Sequence, residues 1–365
     1  MTPLENLIRE MIVETGPMRV ETYMSLALGH PVHGYYTSKM PLGESGDFIT
    51  APEISQMFGE LIGLWCVAVW RAMGSPRPLL LVELGPGRGT LMADALRAAR
   101  VALDFLGAID LHFVETSEAL AASQRVALQE SGAAAKWHKT AEALPAGAAI
   151  ILANEFFDCL PVRQFVRGTD GWHERLVGLN GEEHLCFGLA LDPEPGLAAS
   201  GEFGQVLEAR FAAADLMARL AARLTAQGGA LLVIDYGYDL PPRGETLQAV
   251  KRHRFADPLR DPGEADLTAH VDFGGLAQAA RAAGARAHGP VPQGEWLARL
   301  GIYERAAKLR EHAGEGQRAA IDSALLRLAG GARRPGATDM ARLFKVLAVT
   351  APGLAAPPGF EFASP

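Results

Sequence analysis

A glycine-rich turn carries the most specific chemical signal in this 365-residue chain. It follows a short apolar run, residues 79–84, and places Gly85, Gly87 and Gly89 in a G-x-G-x-G pattern before a helical stretch. Gly85 permits a tight turn, Gly87 removes a side chain where a ligand approaches the backbone, and Gly89 opens a helix whose amides face that ligand. The pattern predicts a loop that holds a small molecule.

Two carboxylates beside this loop indicate which ligand it holds. Glu83 would repel the pyrophosphate of a dinucleotide, and Thr90 stands where the dinucleotide fingerprint has a glycine. A carboxylate at position 83 suits a ligand with an amino group and a sulfonium. Glu115 ends the next predicted strand, where an acid accepts hydrogen bonds from both ribose hydroxyls. An ordinary glycine turn beside a surface glutamate is the alternative, but the strand, glycines, helix and acid occur in register and favour a nucleoside cofactor.

These features together resemble the class I S-adenosylmethionine-dependent methyltransferases. The resemblance implies that Glu83 lies near the methionine part of S-adenosyl-L-methionine, with Gly85 and Gly87 beneath it. It implies that Glu115 holds the ribose and that residues 138–141 line the adenine.

A second polar loop follows the predicted strand 149–153. Ligands bind outside the carboxyl ends of strands in doubly wound sheets, so this loop is expected to face the transferred methyl group. Asn154 offers an acceptor to a nitrogen nucleophile, and Phe156 offers a ring to a planar cation. Glu155 and Asp158 are candidates to orient a guanidinium and take up its proton. Alternatively, the segment is an asparagine turn, acids at a helix start and core phenylalanines.

Longer strings resemble one narrower family, the MidA methyltransferases. They are G-Y-Y at 34–36, G-D-F-I-T-A-P-E-I-S-Q-M-F-G-E at 46–60, E-L-G-P-G-R-G-T at 83–90, N-E-F-F-D-C-L-P-V at 154–162 and D-L-T-A-H-V-D-F at 266–273. The resemblance covers about residues 1–350 and implies a protein-arginine methyltransferase. The mitochondrial members resemble enzymes that dimethylate an arginine on a core subunit of respiratory complex I. We therefore expect a protein substrate of that kind.

The resemblance also assigns roles in the N-terminal loop. It implies that the loop closes over the cofactor and helps to form the substrate pocket, with Pro52 and Ser55 on the cofactor side. The residues implied on the substrate side are Asp47, Phe48, Glu53 and Gln56. Pro52 and Glu53 also fit the first turn of a helix, where proline and an acid are both favourable.

Strand-end placement adds Asp235 and His270 as candidates near the active site, His270 as a substrate residue. A metal site is not expected. His30 and His33 lack an acid or cysteine to complete a ligand set, and the three cysteines lie far apart in the chain.

Alternating apolar runs and helical periods predict an α/β, Rossmann-like doubly wound sheet. Residues 1–75 form an N-terminal helical region in this prediction, with its third helix running from Ile54 to about Met73. Residues 76–350 form the core, with cap elements inserted near 160–203, 236–271 and 290–342. A long helix is predicted over 204–226, and the last insert is expected to be helical over 296–328. The Pro/Gly-rich tail, 351–365, is expected to be loosely ordered.

Charge and apolar composition argue against several other classes of protein. The net charge of −8 makes nucleic acid a poor partner. The longest apolar run, 61–70, is half of the ~20 residues that a membrane span needs, and the N-terminus has no secretory pattern. We expect a cytoplasmic protein; the sequence does not fix its oligomeric state. The alternatives to an enzyme of this kind are a catalytically silent assembly factor with the same fold and a nicotinamide-dependent oxidoreductase.

Overall fold

The computed structural model describes residues 1–38, 50–197, 200–239, 244–330 and 340–361. They fall into two compact units. The first unit takes its residues from 1–48, 158–215 and 240–270, and the second from 49–157, 216–239 and 271–365. The predicted boundary at residue 75 lies inside the second unit. Helices and strands are numbered along the chain.

The second unit is built on a mixed sheet. Its strands are β2 (Leu79–Leu84), β3 (Ile109–Val114), β4 (Ala135–His138), β5 (Ala149–Asn154), β10 (Gly229–Tyr238), β14 (Val271–Asp272), β15 (Arg286–Pro292) and β16 (Phe344–Thr350). Its helices are α4 (Ala51–Ile54), α5 (Gln56–Ala72), α6 (Thr90–Ala98), α7 (Leu103–Leu106), α8 (Glu118–Ala127), residues 216–227 of α9 (Phe211–Gln227), α10 (Phe273–Ala282), α11 (Gln293–Arg299), α12 (Ile302–Glu311), α13 (Glu315–Ala329) and α14 (Met340–Leu343).

The strand order is β15-β16-β10-β5-β2-β3-β4, with β14 beside β10. The strands β10, β5, β2, β3 and β4 run parallel, and β16 runs antiparallel between β10 and β15. β2 is buried along its whole length, which explains its continuous apolar run. The predicted doubly wound sheet is confirmed. The carboxyl ends of β2, β3 and β5 lie at one edge of it.

Two glycines bring α5 against α6. A Cβ at Gly59 would lie 2.6 Å from Asp94 Cβ, and a Cβ at Gly63 would lie 2.3 Å from the Ala95 carbonyl oxygen. Helix backbones approach this closely only where a side chain is missing. The close packing fixes α6, and with it the glycine loop that precedes α6.

The first unit contains α1 (Pro3–Thr15), β1 (Met18–Arg19), α2 (Val20–Gly29), α3 (Tyr35–Ser38), β6 (Arg163–Arg167), β7 (Trp172–Leu179), β8 (Leu185–Leu189), β9 (Val206–Ala209), β11 (Gln248–Lys251), β12 (Arg254–Ala256) and β13 (Asp266–Thr268). They form an antiparallel sheet of order β1-β7-β6-β9 with β8 beside β7, and a small sheet of order β12-β11-β13. Apolar residues of α1 and α2, among them Ile8 and Met24, pack with Val177 and Leu267 in its core.

The structure corrects the extent of three predicted helices. The predicted 204–226 helix begins only at Phe211, because residues 206–209 pair with β6 as strand β9. The predicted helix from Ile54 is interrupted at Ser55, which is extended (φ −163°) and caps α5 by accepting a hydrogen bond from Met57 N. The helical insert is three helices, since Gly301 (φ +91°) and Gly314 separate them.

The expectation of a loosely ordered tail is wrong for residues 351–361. Phe360 is buried, and its ring packs against the ring of Trp296. The Pro358 carbonyl oxygen accepts from Trp65 Nε1 at 3.2 Å, and the Gly359 carbonyl oxygen accepts from Arg299 at 2.9 Å. One aromatic anchor and two backbone acceptors hold a segment whose composition alone indicates a coil.

Candidate active site

The glycine loop turns sharply where β2 ends. Gly85, Gly87 and Gly89 have φ values of +60°, +54° and +85°, the left-handed region that favours glycine. A Cβ on Gly85 would lie 2.8 Å from a ring carbon of Phe156. Gly89 is the N-cap of α6 and has no side chain to cap it, so the first amides of α6 are available to a ligand.

Glu83 is a buried acid at the end of β2. Only 3% of the residue is exposed, and its Oε2 has no hydrogen-bond partner among the described residues. Burial raises the pKa of Glu83 to about 8. A carboxylate in this state is stabilised by any donor or cation that reaches it, and a ligand ammonium supplies both.

Asn154 presents a second acceptor on the same face of the sheet. Glu83 pairs with Leu152 in parallel register, and Asn154 lies two residues beyond Leu152 on β5, so both side chains project to the same side. Asn154 Oδ1 is buried and has no partner in the part of the chain that the structure describes. Two buried acceptors therefore lie at the carboxyl ends of adjacent strands.

Glu115 lies just beyond β3 and is held in place from two sides. Its Oε1 accepts from Ser117 N at 2.7 Å, and its Oε2 accepts from Gln124 Nε2 at 3.0 Å. Burial raises the pKa of Glu115, and these hydrogen bonds oppose that increase. Each carboxylate oxygen retains capacity for another donor, which suits a pair of ribose hydroxyls.

Gln124 is a site residue that the sequence analysis missed. Its Nε2 donates to the Gly87 carbonyl oxygen at 2.8 Å as well as to Glu115, and its Oε1 accepts from Trp137 Nε1 at 2.7 Å. A Cβ on Gly89 would lie 3.2 Å from Gln124 Cα. The side chain thus joins the glycine loop, the acid and an aromatic ring. Its position in the middle of α8 carries no local signal of this role.

The loop after β5 is held by Asp235 of β10. Asp235 is fully buried, and its Oδ2 accepts from Phe156 N at 3.1 Å and from Phe157 N at 3.0 Å. Glu155 has φ +50°, a strained value for a residue with a side chain. Its Oε1 accepts from Ala51 N at 3.1 Å and from Asn154 Nδ2 at 3.2 Å. Phe157 is buried in the core, whereas Phe156 contacts the glycine loop.

An ion pair joins the short helix α4 to the glycine loop. Glu53 Oε1 lies 3.4 Å from Arg88, a loop residue that the sequence analysis did not single out. Glu53 Oε2 is buried without a partner among the described residues. Burial raises the pKa of Glu53, and Arg88 opposes this. Pro52 is buried in the first turn of α4, and Gln56 begins α5 with its side chain exposed.

Two other predicted residues belong to the first unit. Asp158 is buried, and its carbonyl oxygen accepts from Ala269 N at 2.9 Å. His270 N donates to Thr246 Oγ1 at 2.9 Å, and burial lowers the pKa of the His270 ring. Asp47 and Phe48 lie outside the described residues. The structure therefore brings together the predicted residues of the second unit, and the roles of Asp158 and His270 stay predictions.

In the described ranges, no group of three or more His, Cys, Asp or Glu side chains is arranged to hold a metal ion. Among the same residues, no helix has the length and apolar character that a membrane crossing requires.

The carboxyl edge of the sheet thus offers open helix amides, an acid suited to ribose hydroxyls and a buried acid that a bound cation would stabilise in its ionised form, all within one unit. A nucleoside bonded to a cationic amino acid matches this combination, and S-adenosyl-L-methionine is such a molecule. The fold and site define the class as an S-adenosylmethionine-dependent methyltransferase.

Comparisons with known proteins narrow the class to a family. Residues 61–291 match the model of a family described as putative S-adenosyl-L-methionine-dependent methyltransferases, and the chain belongs to that family. The predicted MidA resemblance is confirmed, and the cofactor is S-adenosyl-L-methionine.

Relatives and solved structures agree with this. The chain is similar to the mitochondrial protein arginine methyltransferase NDUFAF7 of Danio rerio, with 39% identity over 80% of this chain and 75% of that protein. The human protein of the same name is 36% identical over 86% of this chain and 77% of its own length. A superfamily member from Burkholderia thailandensis, solved bound to S-adenosyl-homocysteine, has a TM-score of 0.82 and 26% identity. That match covers 98% of this chain and 93% of the other.

Proposed function

We propose that this chain transfers the methyl group of S-adenosyl-L-methionine to an arginine side chain of a protein. Relatives that are 36–39% identical over most of the chain carry the name protein arginine methyltransferase, which supports this substrate class. The nicotinamide-dependent alternative has no support in these comparisons.

The observation that carries the proposal is a set of buried acceptors without donors. Glu83 Oε2, Asn154 Oδ1 and Glu53 Oε2 all lack a hydrogen-bond partner among the residues described. Buried acceptors normally find a donor, so such atoms together indicate a ligand rich in N–H groups. The cofactor ammonium and a substrate guanidinium are both cations of this kind.

We assign the cofactor contacts as follows. Glu83 accepts from the ammonium, Glu115 accepts from the ribose hydroxyls, and the open amides of α6 lie against the ligand backbone. Pro52 and Ser55 set the ends of α4 and α5, and the Glu53–Arg88 pair ties this segment to the glycine loop. Residues 138–141 remain our proposal for the adenine contact.

Methyl transfer needs an oriented nucleophile and a proton acceptor. The sulfonium of the cofactor supplies an activated methyl group, so alignment accounts for much of the rate. Asn154 Oδ1 accepts from the guanidinium and orients it. Glu155, whose Oε1 is fixed by Ala51 N, localises the positive charge and takes up the proton as the new N–C bond forms.

Two variants test this assignment, one at Glu115, just before α8, and one at Glu118, the first residue of α8. We expect Glu115→Ala to weaken binding of S-adenosyl-L-methionine roughly a hundredfold, because two charge-assisted hydrogen bonds are lost. Glu118→Ala is the matched control, since Glu118 is exposed and pairs with Lys139 on the surface. Calorimetry measures the affinity, and tritiated cofactor added to a lysate of cells that lack the gene measures transfer.

Two results would contradict the proposal at different levels. Equal affinity in both variants would remove Glu115 from the cofactor site. Wild-type protein that binds the cofactor and labels lysate proteins only at residues other than arginine would leave a methyltransferase and remove the arginine assignment.

For the protein substrate, we propose a core subunit of a respiratory complex I. The support for this substrate is the resemblance of residues 34–36 and 46–60 to the sequence of the MidA family. Mass spectrometry of such subunits, from cells with and without the gene, is expected to show a methylarginine that depends on the gene. If the Glu115→Ala variant restored assembly of the partner without that mark, the silent assembly factor would be the better account.

A further inference from the structure

A basic hairpin forms two of the three strands of the small sheet in the first unit. The strands β11 and β12 pair antiparallel, and Arg252 and His253 form the turn between them with φ values of +52° and +60°. Two-residue turns of this kind favour asparagine and glycine, and each non-glycine residue costs about 1 kcal/mol there. The sequence therefore places an arginine and a histidine at a turn that does not favour them.

The hairpin borders a concave surface that encloses a volume of about 870 Å³. Four cationic and two acidic side chains line it, together with an aromatic ring and two alanines. These residues are Lys251, Arg252, Arg254, Phe255, Ala256, Asp257, Arg260, Asp261 and Ala265. In a chain with a net charge of −8, this local excess of positive charge is unusual.

Two of the cations are available to a partner. Lys251 Nζ lies 3.4 Å from Asp261 and 3.9 Å from Glu264, so its charge is compensated. Arg254 and Arg260 are exposed, and their guanidinium groups make no hydrogen bond or ion pair with any described residue. Their guanidinium groups are free to bind carboxylates in the two-point manner that arginine favours.

An exposed aromatic ring lies between these charges in the sequence. Phe255 is 80% exposed, far more than a ring of its size usually is in a folded chain. We propose that this surface binds an acidic peptide segment of a protein partner, with Arg254 and Arg260 on carboxylates and Phe255 against an apolar side chain. Nucleic acid fits less well: a short peptide can place its carboxylates on these arginines alone, whereas a continuous phosphate backbone would also lie against Asp257 and Asp261.

This binding site goes beyond methyl transfer and does not depend on it. The test uses the full chain and a short fluorescein-labelled peptide of Asp and Glu around a central leucine, followed by fluorescence anisotropy at low salt. The variant is Arg254→Glu with Arg260→Glu, which removes no contact seen among the described residues. The control is Lys308→Glu with Arg327→Glu, an equal change of charge on the exposed faces of α12 and α13.

We expect the Arg254/Arg260 variant to bind the peptide roughly tenfold more weakly or worse, the control to bind as wild type, and salt to weaken the wild-type complex. Phe255→Ala is expected to weaken it about threefold. Cofactor affinity is expected to be the same in all variants, which verifies folding and separates this site from the proposed function. Equal loss in both double variants, no peptide binding, or tighter binding of an oligothymidylate of equal length would each overturn the proposal.

Discussion

Glu83 in the second unit and Glu208 in the first both have buried carboxylate side chains but differ in their partners. Glu83 is 3% exposed, and its Oε2 has no hydrogen-bond partner among the described residues. The side chain of Glu208 is buried as well, but it accepts from Gln164, from Arg210 and from the Thr246 hydroxyl at 2.6 Å. It accepts from the backbone amides of Thr246 and Leu247 as well.

The difference separates two uses of a buried carboxylate. Glu208 joins β9 to the segment after residue 244, so its donors come from the protein and the group is structural. Glu83 lies at the carboxyl end of a parallel strand, where the fold supplies few donors and a ligand can supply them. Burial alone does not indicate function, whereas burial without a partner at a strand end does.

The largest expected effect concerns the glycine loop. Gly85→Val adds a side chain at φ +60° and 2.8 Å from Phe156, so we expect cofactor affinity to fall by roughly a hundredfold or more. Gly132→Val is the matched control. Gly132 has φ +67° but nothing within 4 Å, so only about 1–2 kcal/mol of stability should be lost there. Calorimetry and thermal unfolding measure the two effects, and similar cofactor affinity in both variants would refute a cofactor role for the loop.

The second largest expected effect comes from replacing the two carboxylates, Glu208 and Glu83. Glu208→Ala leaves several buried donors unpaired, and we expect a loss of about 3 kcal/mol in the free energy of unfolding. Glu83→Gln is expected to leave stability at pH 7 nearly unchanged and to weaken cofactor binding instead. Urea denaturation measures the free energy of unfolding of both variants, and calorimetry measures their affinity for the cofactor. A large loss of stability in Glu83→Gln would make Glu83 structural.

A pH series sharpens the assignment of Glu83. Its pKa is raised to about 8 in the folded protein, so the folded state holds a proton that the unfolded state releases above its ordinary pKa of 4.5. The stabilising contribution is therefore complete below about pH 4.5 and is lost as pH rises through 8. Cofactor affinity changes in the opposite direction, because the ionised acid attracts the ammonium. Between pH 5.5 and 7 we expect an increase of up to about tenfold per pH unit, absent in Glu83→Gln.

The smallest effect concerns Arg88. The Arg88–Glu53 pair is 3.4 Å apart, and the arginine is about half exposed. Exposed pairs contribute roughly 0–1 kcal/mol, so Arg88→Gln should raise the KM for the cofactor about twofold and leave unfolding nearly unchanged. Arg100→Gln, on the exposed 3-10 turn after α6, is the control. A decrease in kcat with an unchanged KM would argue that Arg88 acts on the substrate.

Local patterns predicted much of the second unit. The apolar run of β2, the three glycines and Glu115 are close in sequence, and their spacing reports directly on a strand, a turn and a strand end. The predicted strand 149–153 is also observed, as β5 (Ala149–Asn154). Prediction failed at residues 204–210, where helical periodicity was favoured but pairing with β6 forms a strand.

The sequence by itself predicted a nucleoside-type ligand with a positive charge at the turn after the first strand of the sheet. Residue type and short-range spacing are sufficient for that, because one strand, one turn and one helix form the loop. Only the tertiary structure decided which other side chains reach the loop. Gln124, Arg88 and Asp235 act through contacts with residues distant in the chain, and such contacts follow from the packing of helices and strands rather than from any local pattern.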